Sequence, residues 1–473
     1  MIRFAVALAA SMLVGAAAAG ASAPKAPADT GEPAFRALYK ELVETNTTFS
    51  AGDCTLAARR MAARLKAAGF PDSDLTVFTP PDRPKDGGLV AVYPGRDPKA
   101  KAILLLAHID VVEARREDWE RDPFVLVEEN GYFYARGASD DKAQAAIWTD
   151  LLIRYRREGY QGRRPLKLAL TCGEEGGGQV NGANWLARNR RELIDAAFAL
   201  NEGAGGGFDA AGKRVAHNVQ AGEKQSFGFR IEATNPGGHS SRPVPDNAIY
   251  HLAKALDRIA AYEFPVQMND TTRAYFTRMS KVVGGETGAA MAAIVANPRD
   301  KTARAVLSRD ANYNAILGTT CIPTLLQGGH AGNALPQRAT ATINCRIFPG
   351  ETATEVREQL VKAVGDAKVT VSEPPARAQV GAPPLTPQVL GPIEMVSQAM
   401  WPGVPVVPIL QAGGTDAGPL IAVGIPTYGV SGIFYDPDLG RIHGLNERIR
   451  VKSLMEAREF SYRLVKLYAE QKD

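Results

Sequence analysis

The chain has 473 residues, 45% hydrophobic and 22% charged, with 55 Lys+Arg against 51 Asp+Glu and a formal net charge of +4. That composition excludes a disordered or fibrous protein, and so small and dispersed a charge, without basic runs interleaved with aromatics, excludes a nucleic-acid surface. Mean hydropathy is −0.16 and no stretch beyond the N-terminus approaches about 20 apolar residues, which excludes a polytopic membrane protein; a length beyond roughly 250–300 residues calls for more than one domain.

Residues 1–23 read as a secretory signal peptide. Arg3 gives a positive start, Phe4 to Ala19 is apolar and Ala-rich, and Ala21-Ser22-Ala23 fits a small-x-small cleavage site. A retained membrane anchor is the alternative. Once the peptide is removed no membrane span remains, so the mature chain is expected in the periplasm or outside the cell.

From about residue 34 to 222, helix and strand signals alternate. Phe35 to Val43 and Thr55 to Ala68 read as helices, Leu89 to Tyr93 and Ala102 to Ala107 as buried strands. Trp148, Leu151, Leu152 and Tyr155 mark one apolar helix face, and Leu166 to Thr171 and Ala196 to Leu200 are further strands around a helix near Gly182 to Asn189. This is the βαβ pattern of an α/β sheet. After about residue 222 the pattern changes. Gln225 to Ala233 alternates like a half-exposed strand, Asn247 to Ala260 is an amphipathic helix, and 263–318 is polar and mostly helical. Two β-like runs, Thr319 to Gln327 and Arg338 to Phe348, then precede a helix at Thr352 to Val364. Pro374 to Pro384 reads as a return linker, Val404 to Ile409 and Ile425 to Val430 as buried strands, and the chain closes on a helix carrying Val451, Leu454, Met455, Tyr462 and Val465. The economical organisation is an α/β domain in two pieces, 24–222 and 379–473, interrupted by an α+β unit at 223–378.

Four cysteines are too few for a disulfide scaffold. Cys321 and Cys345 lie on the two β-like runs; antiparallel pairing brings them together, either as a disulfide in an oxidising compartment or as two reduced strand residues.

The chemistry falls at strand ends. Ala102 to Ala107 runs straight into His108-Ile109-Asp110, so His108 and Asp110 emerge on one side at the C-terminal edge, where open α/β sheets place their sites. A carboxylate two residues from a His can fix its tautomer. Asp140, in Arg136-Gly-Ala-Ser-Asp140-Asp141-Lys142, opens the Trp148 helix, where a plain N-cap is the competing role. Glu174 and Glu175 follow a strand inside a glycine cluster; extended neighbours point in opposite directions, so one can bind a metal while the other faces a bound water. Another strand ends in Asn201-Glu202-Gly203, and His443 stands before the last helix. Two His and three carboxylates at such positions suit a pair of borderline divalent cations sharing one carboxylate. The glycine clusters contain no G-x-x-x-x-G-K-[ST] and no strand-linked G-x-G-x-x-G, so a phosphate cradle is rejected, and a serine hydrolase is weakly supported because no G-x-S-x-G occurs.

In order, HIDVV, WERDPF, YARGASDDK, GEEGGG, NEG, GGHSSRP, GGTDA and HGLNER resemble the dizinc family of aminoacylase, acetylornithine deacetylase, succinyl-diaminopimelate desuccinylase and glutamate carboxypeptidase over about residues 35 to 470. The resemblance implies a mixed-sheet α/β/α catalytic domain with an inserted α+β lid of the dimerisation type. It implies two Zn2+ per chain, with Co2+ or Mn2+ able to substitute, one held by His108, Asp140 and Glu202 and the other by Asp140, Glu175 and His443. It implies a cis peptide between Asp140 and Asp141, Asp110 orienting His108, and Glu174 as general base. His239 is similar to the lid histidine that donates to the scissile carbonyl oxygen, from the partner subunit in dimeric relatives or in cis where the lid is longer. Asn333, Arg346 and Thr415 would contact substrate, with Asn333 and Arg346 expected together at the cleft and His239 nearby. His217, His251 and His330 lack ligand context and are assigned structural or solvent roles. Glu113, where the family often has Pro, and Ala143-Gln144, where Gly is common, depart from its pattern beside the ligands. The expectation is an exported hydrolase cleaving an amide bond next to a free carboxylate, of the dipeptidase or carboxypeptidase type. The alternatives are an N-acyl-amino-acid amidohydrolase and an inactive ligand-binding relative; the latter should have lost Glu174 or a ligand, and none is missing.

Overall fold

Two sheets organise the chain. A computed structural model describes residues 31–472 apart from 177, 376, 377 and 379, and the signal-peptide reading of 1–23 lies outside the described residues. The larger sheet is mixed and ten-stranded, in the order Leu75–Phe78, Gly88–Tyr93, Leu166–Thr171, Ile103–His108, Phe198–Asn201, Thr427–Gly429, Arg214–Glu223, Gly206–Phe208, Phe434–Tyr435, with Val406–Gln411 also paired to Arg214–Glu223. At its centre Ile103–His108 runs parallel to both Leu166–Thr171 and Phe198–Asn201, and Thr427–Gly429 runs parallel to Phe198–Asn201. Strand alternation sends Ile103, Leu105 and Ala107 into the core under the helices Glu32–Val43, Cys54–Ala67, Lys142–Glu158 and Val451–Glu470. Leu104 and Leu106 enter the opposite core, under Gly182–Asn189 and Ala417–Ala422. Trp148 is fully buried in the first core and donates its indole N–H to Leu106 O at 3.3 Å.

The second sheet is antiparallel, in the order Thr320–Gly328, Arg338–Ile347, Gln225–Thr234, Val369–Val371. Arg338–Ile347 alternates buried and half-buried residues, and its buried face packs on Ala248–Ala261 and Ala353–Val364. The helices Asp270–Val283, Gly285–Ala296 and Lys301–Leu307 form a further cluster that includes Leu410 of the large sheet, and Arg278 donates to Val406 O. These helices bridge the two sheets. Among the described residues no helix is long and apolar enough to cross a membrane.

Sequence reasoning misses the ten-residue strand Arg214–Glu223, because its interior carries His217, Asn218 and Gln220 rather than an apolar run. His217 is buried against the rings of Trp401, Phe434 and Phe460, bonds through Nε2 to Ser431 O at 2.7 Å, and is pushed by burial down to about 4. Its role is structural. Both cysteine pairs are disulfides: Cys321–Cys345, whose residues are register partners, and Cys54–Cys172, a pairing the sequence does not suggest because 118 residues separate the two.

Candidate metal centre

Parallel pairing places three strand ends at one edge. His108 ends its strand opposite Thr171, Glu174 and Glu175 follow Leu166–Thr171, and Glu202 follows Phe198–Asn201. Lys142–Glu158 begins at the same edge, preceded by Asp140 and Asp141, which are joined by a cis peptide bond. His443 arrives from the segment before the last helix. Asp140 sits at the middle. Its Oδ1 lies 3.1 Å from His108 Nε2 and its Oδ2 3.2 Å from His443 Nε2, while His443 Nε2 is also 2.9 Å from the Glu175 carboxylate. Donor atoms of His108, Glu174 and Glu202 lie within 4.8 Å of one another, and so do those of His108, Asp140 and Glu175.

His108 Nδ1 faces Asp110 O at 3.1 Å and the Asp110 carboxylate at 3.5 Å, which assigns the proton to Nδ1 and turns Nε2 toward Asp140. Asp110 also accepts from Glu174 N at 3.3 Å and Glu175 N at 3.1 Å, so one buried carboxylate orients both the histidine and the Glu-Glu pair. The cluster is crowded with acid. Burial, reinforced by Asp416, Glu175 and Asp140, pushes Glu174 up to about 8. Burial likewise raises Glu202, which has no hydrogen-bond or ion-pair partner among the described residues, and Asp141, whose Oδ2 is buried without one. Burial opposes ionisation of Asp140 too, but hydrogen bonds from His108 and His443 overcome it and hold that carboxyl well below its usual range. Imidazole nitrogens and carboxylate oxygens converging on so unbalanced a negative charge are a donor set for divalent cations.

A cleft of about 580 Å³ opens over this edge, lined by Asp140, Glu174, Glu175, Glu202 and His443 together with Ala204 to Gly207, Ile433, Leu439 and Ile442. Thr415 lines it as well, but its hydroxyl is committed to Glu223, at 2.8 Å. His239 and Asn333 do not reach the cleft. They are exposed on a short antiparallel strand pair, Gly238–His239 with Ala334–Leu335, where Ser240 N donates to Asn333 O at 3.0 Å. Nor is Arg346 beside them, which corrects the expected grouping. The next strand starts at Arg338, just after this pair, and eight extended residues carry Arg346 about 26 Å away, opposite Ser226 and Thr320 and close to the crossover residue Lys224.

Residues 104–467 match peptidase family M20/M25/M40. The chain belongs to this family. Among relatives similar in sequence, human N-fatty-acyl-amino acid synthase/hydrolase PM20D1 is 29% identical over 78% of this chain and 75% of its own length. Mouse aminoacylase-1 is 26% identical over 76% of this chain and 78% of its own. The M20 metallo-carboxypeptidase Sso-CP2 of Sulfolobus solfataricus shares the fold with a TM-score of 0.64 at 19% identity, over 92% of this chain and 99% of that one. This M20 chain is thus a hydrolase of the metallopeptidase and amidohydrolase type.

Sequence reasoning gives no role to two residues that build the M20 site. Glu447 is fully buried, pairs with Arg136 Nη1 at 2.7 Å, and accepts from Gly137 N, Ser139 N and Asp140 N, so it holds the loop that delivers Asp140. Asp416 accepts from Thr171 Oγ1 at 2.8 Å and Asn181 Nδ2 at 2.6 Å beneath the Glu174 loop. Both stand in quoted motifs, HGLNER and GGTDA, where the signal was present without a partner to read it against.

Proposed function

We propose that this M20 protein hydrolyses an amide bond next to a free carboxylate, using two divalent ions held by His108, Asp140 and Glu202 and by Asp140, Glu175 and His443, with zinc as the metal. The observation that carries the reading is Asp140, whose two oxygens each face a different histidine nitrogen at 3.1 and 3.2 Å, the placement a shared carboxylate requires. Ions bound there supply Lewis-acid polarisation of the carbonyl and lower the pKa of water. The remaining roles belong to the chain. Glu174, held by Asp110 through its backbone N–H, takes the proton of the attacking water and returns it to the departing nitrogen. Asp110 keeps His108 in the tautomer that presents Nε2.

The dipeptidase or carboxypeptidase reading and the N-acyl-amino-acid reading share this chemistry. The cleft favours the second. Ala204, three glycines, Ile433, Leu439 and Ile442 in its lining give an uncharged acyl group apolar surface to pack on, and among the relatives PM20D1 is named for N-fatty-acyl-amino acids and aminoacylase-1 for acyl groups. Arg346, half-buried and without an ion pair among the described residues, is assigned to the substrate carboxylate, at the end of its strand away from His239 and Asn333. His239 and Asn333, at the remote end, serve the cleft of a second copy in a homodimer. Supporting this, the edge strand Thr320–Gly328 leaves Ile322, Leu325 and Leu326 exposed by 64–68%, beside an apolar hollow lined by Ile249, Leu252 and Leu256. Export is part of the proposal, supported by the N-terminal segment and by two disulfides, which persist in oxidising compartments.

The test is a panel of N-acyl amino acids of increasing chain length, dipeptides, and the C-terminal amides of both, with metal analysis of the purified protein. Acyl amino acids are expected to turn over best and amides poorly; chelation should abolish activity, and zinc or cobalt should restore it at two ions per chain. An active metal-free preparation, or equal cleavage of acid and amide, overturns the reading.

A further inference from the structure

The loop bearing Glu174 and Glu175 is tied down from behind by groups outside the ligand set. Cys172 directly follows the strand Leu166–Thr171 and is itself followed by Gly173, Glu174 and Glu175, and its sulfur is bonded to Cys54, the first residue of the Cys54–Ala67 helix. Both cysteines are fully buried. Gln179, where the loop returns, places Nε2 3.4 Å from Cys172 Sγ, 3.7 Å from Cys54 Sγ and 3.3 Å from Thr47 O. Gly182 N closes the loop on Cys172 O at 2.6 Å, and Val180 N donates to Asp86 at 2.9 Å. Gly173 adopts a φ of +81°, and a Cβ there would meet Val180 O at 2.5 Å, so the two limbs of the loop are in close contact over the disulfide. Asp110 holds the front of the loop through the backbone of the two glutamates; the disulfide and Gln179 hold its base. The Cys321–Cys345 disulfide differs in setting, since it joins register partners of a ladder that already fixes both strands.

We infer that the Cys54–Cys172 disulfide, with Gln179 packed on it, is a positioning device for the Glu174–Glu175 pair. The inference rests on the amide-hydrolase reading of the same site. Proton transfer and metal ligation both require these carboxylates to stay in place, and a displacement of about 1 Å can cost on the order of 10²-fold in rate. A crosslink directly behind the pair removes that freedom, whereas a crosslink of the same kind in the lid sheet does not.

The test compares the full-length, metal-loaded C54A/C172A and C321A/C345A proteins with wild type. For C54A/C172A the expected result is a kcat lower by about tenfold or more with KM changed less than about threefold, together with faster loss of metal to a chromogenic chelator. C321A/C345A should keep kcat and metal retention near wild type. Wild-type kcat and metal retention in C54A/C172A overturn the inference, as does an equal loss in both double variants. If C54A/C172A does not fold, Gln179→Leu replaces it; with the disulfide intact and Tm unchanged, it should still lower kcat severalfold, and an unchanged kcat overturns the inference. A wild-type protein that cleaves no amide ends the hydrolase reading instead, and the chelator assay then decides the positioning role.

Discussion

Glu174 and Glu175 are chain neighbours with different surroundings. Glu175 is 2.9 Å from His443, whereas the Glu174 carboxylate pairs with neither histidine among the described residues and is pushed up to about 8 by its burial. That division fits a ligand beside a proton carrier, and it yields the first prediction. Glu174→Gln keeps shape and hydrogen-bonding capacity but cannot accept the proton, so kcat should fall by at least about 10²-fold while both ions stay bound. Steady-state kinetics with elemental analysis on one preparation checks it, and near-normal turnover in a metal-replete variant would refute the assignment.

At the scale of elements, the loop 137–140 is held by a segment some 300 residues away. Glu447 accepts three backbone N–H groups of that loop and pairs with Arg136, both side chains being almost wholly buried. Glu447→Ala strands the Arg136 charge in the interior and should cost about 3–5 kcal/mol in urea unfolding, with metal retention falling because Asp140 loses its support. The lid offers a pH-dependent contact instead. His251 lies 2.6 Å from Asp366 and 2.9 Å from Asp246, joining the helix Ala248–Ala261 to the turn before Val369–Val371. Asp366 first, then Asp246, raises the His251 pKa; the His251 hydrogen bond holds Asp366 below its usual range, and hydrogen bonds from Lys368 first, then His251, do the same for Asp246. A raised histidine stabilises fully below its unfolded pKa of about 6.5 and loses that contribution as pH rises through the folded value; the lowered aspartates lose theirs as pH falls through their folded values. The contact is therefore strongest between the carboxylate and imidazole ranges. The Tm difference between wild type and His251→Asn should be larger at about pH 5.5 than at about pH 9, and a pH-independent difference would exclude the ion pair as its source.

For the whole molecule, the proposed homodimer, in which His239 serves the partner's cleft, predicts that activity depends on the dimer. Leu325→Glu with Leu326→Lys puts charge on the exposed edge strand and should yield monomers by analytical ultracentrifugation, with activity lost although the metal ligands are untouched. Complementation separates the roles: His239→Ala and Glu174→Gln subunits, each inactive alone, should recover about a quarter of wild-type activity when mixed and reassembled, since half of the dimers would carry one complete site of two. No recovery in verified mixed dimers would place His239 outside the partner's cleft.

The sequence by itself determined the elements whose signals are local and apolar. Ala102 to Ala107 and Leu166 to Thr171 are buried strands because continuous apolar runs have no other place, and the acids that follow them must emerge at strand ends, which is why His108, Glu174, Glu175 and Glu202 were legible as a group. The helices at Gly182–Asn189 and Val451–Glu470 announced themselves by periodicity in the same way. Arg214–Glu223 did not, since its polar residues are buried only because His217 and Glu223 find partners elsewhere in the chain. Tertiary structure alone decided that Cys54 meets Cys172, that Glu447 supports Asp140, and that His239 and Arg346 lie in different sheets. Each of those is a contact between residues distant in sequence, fixed by ladder register and strand order, and no local pattern of side chains encodes either.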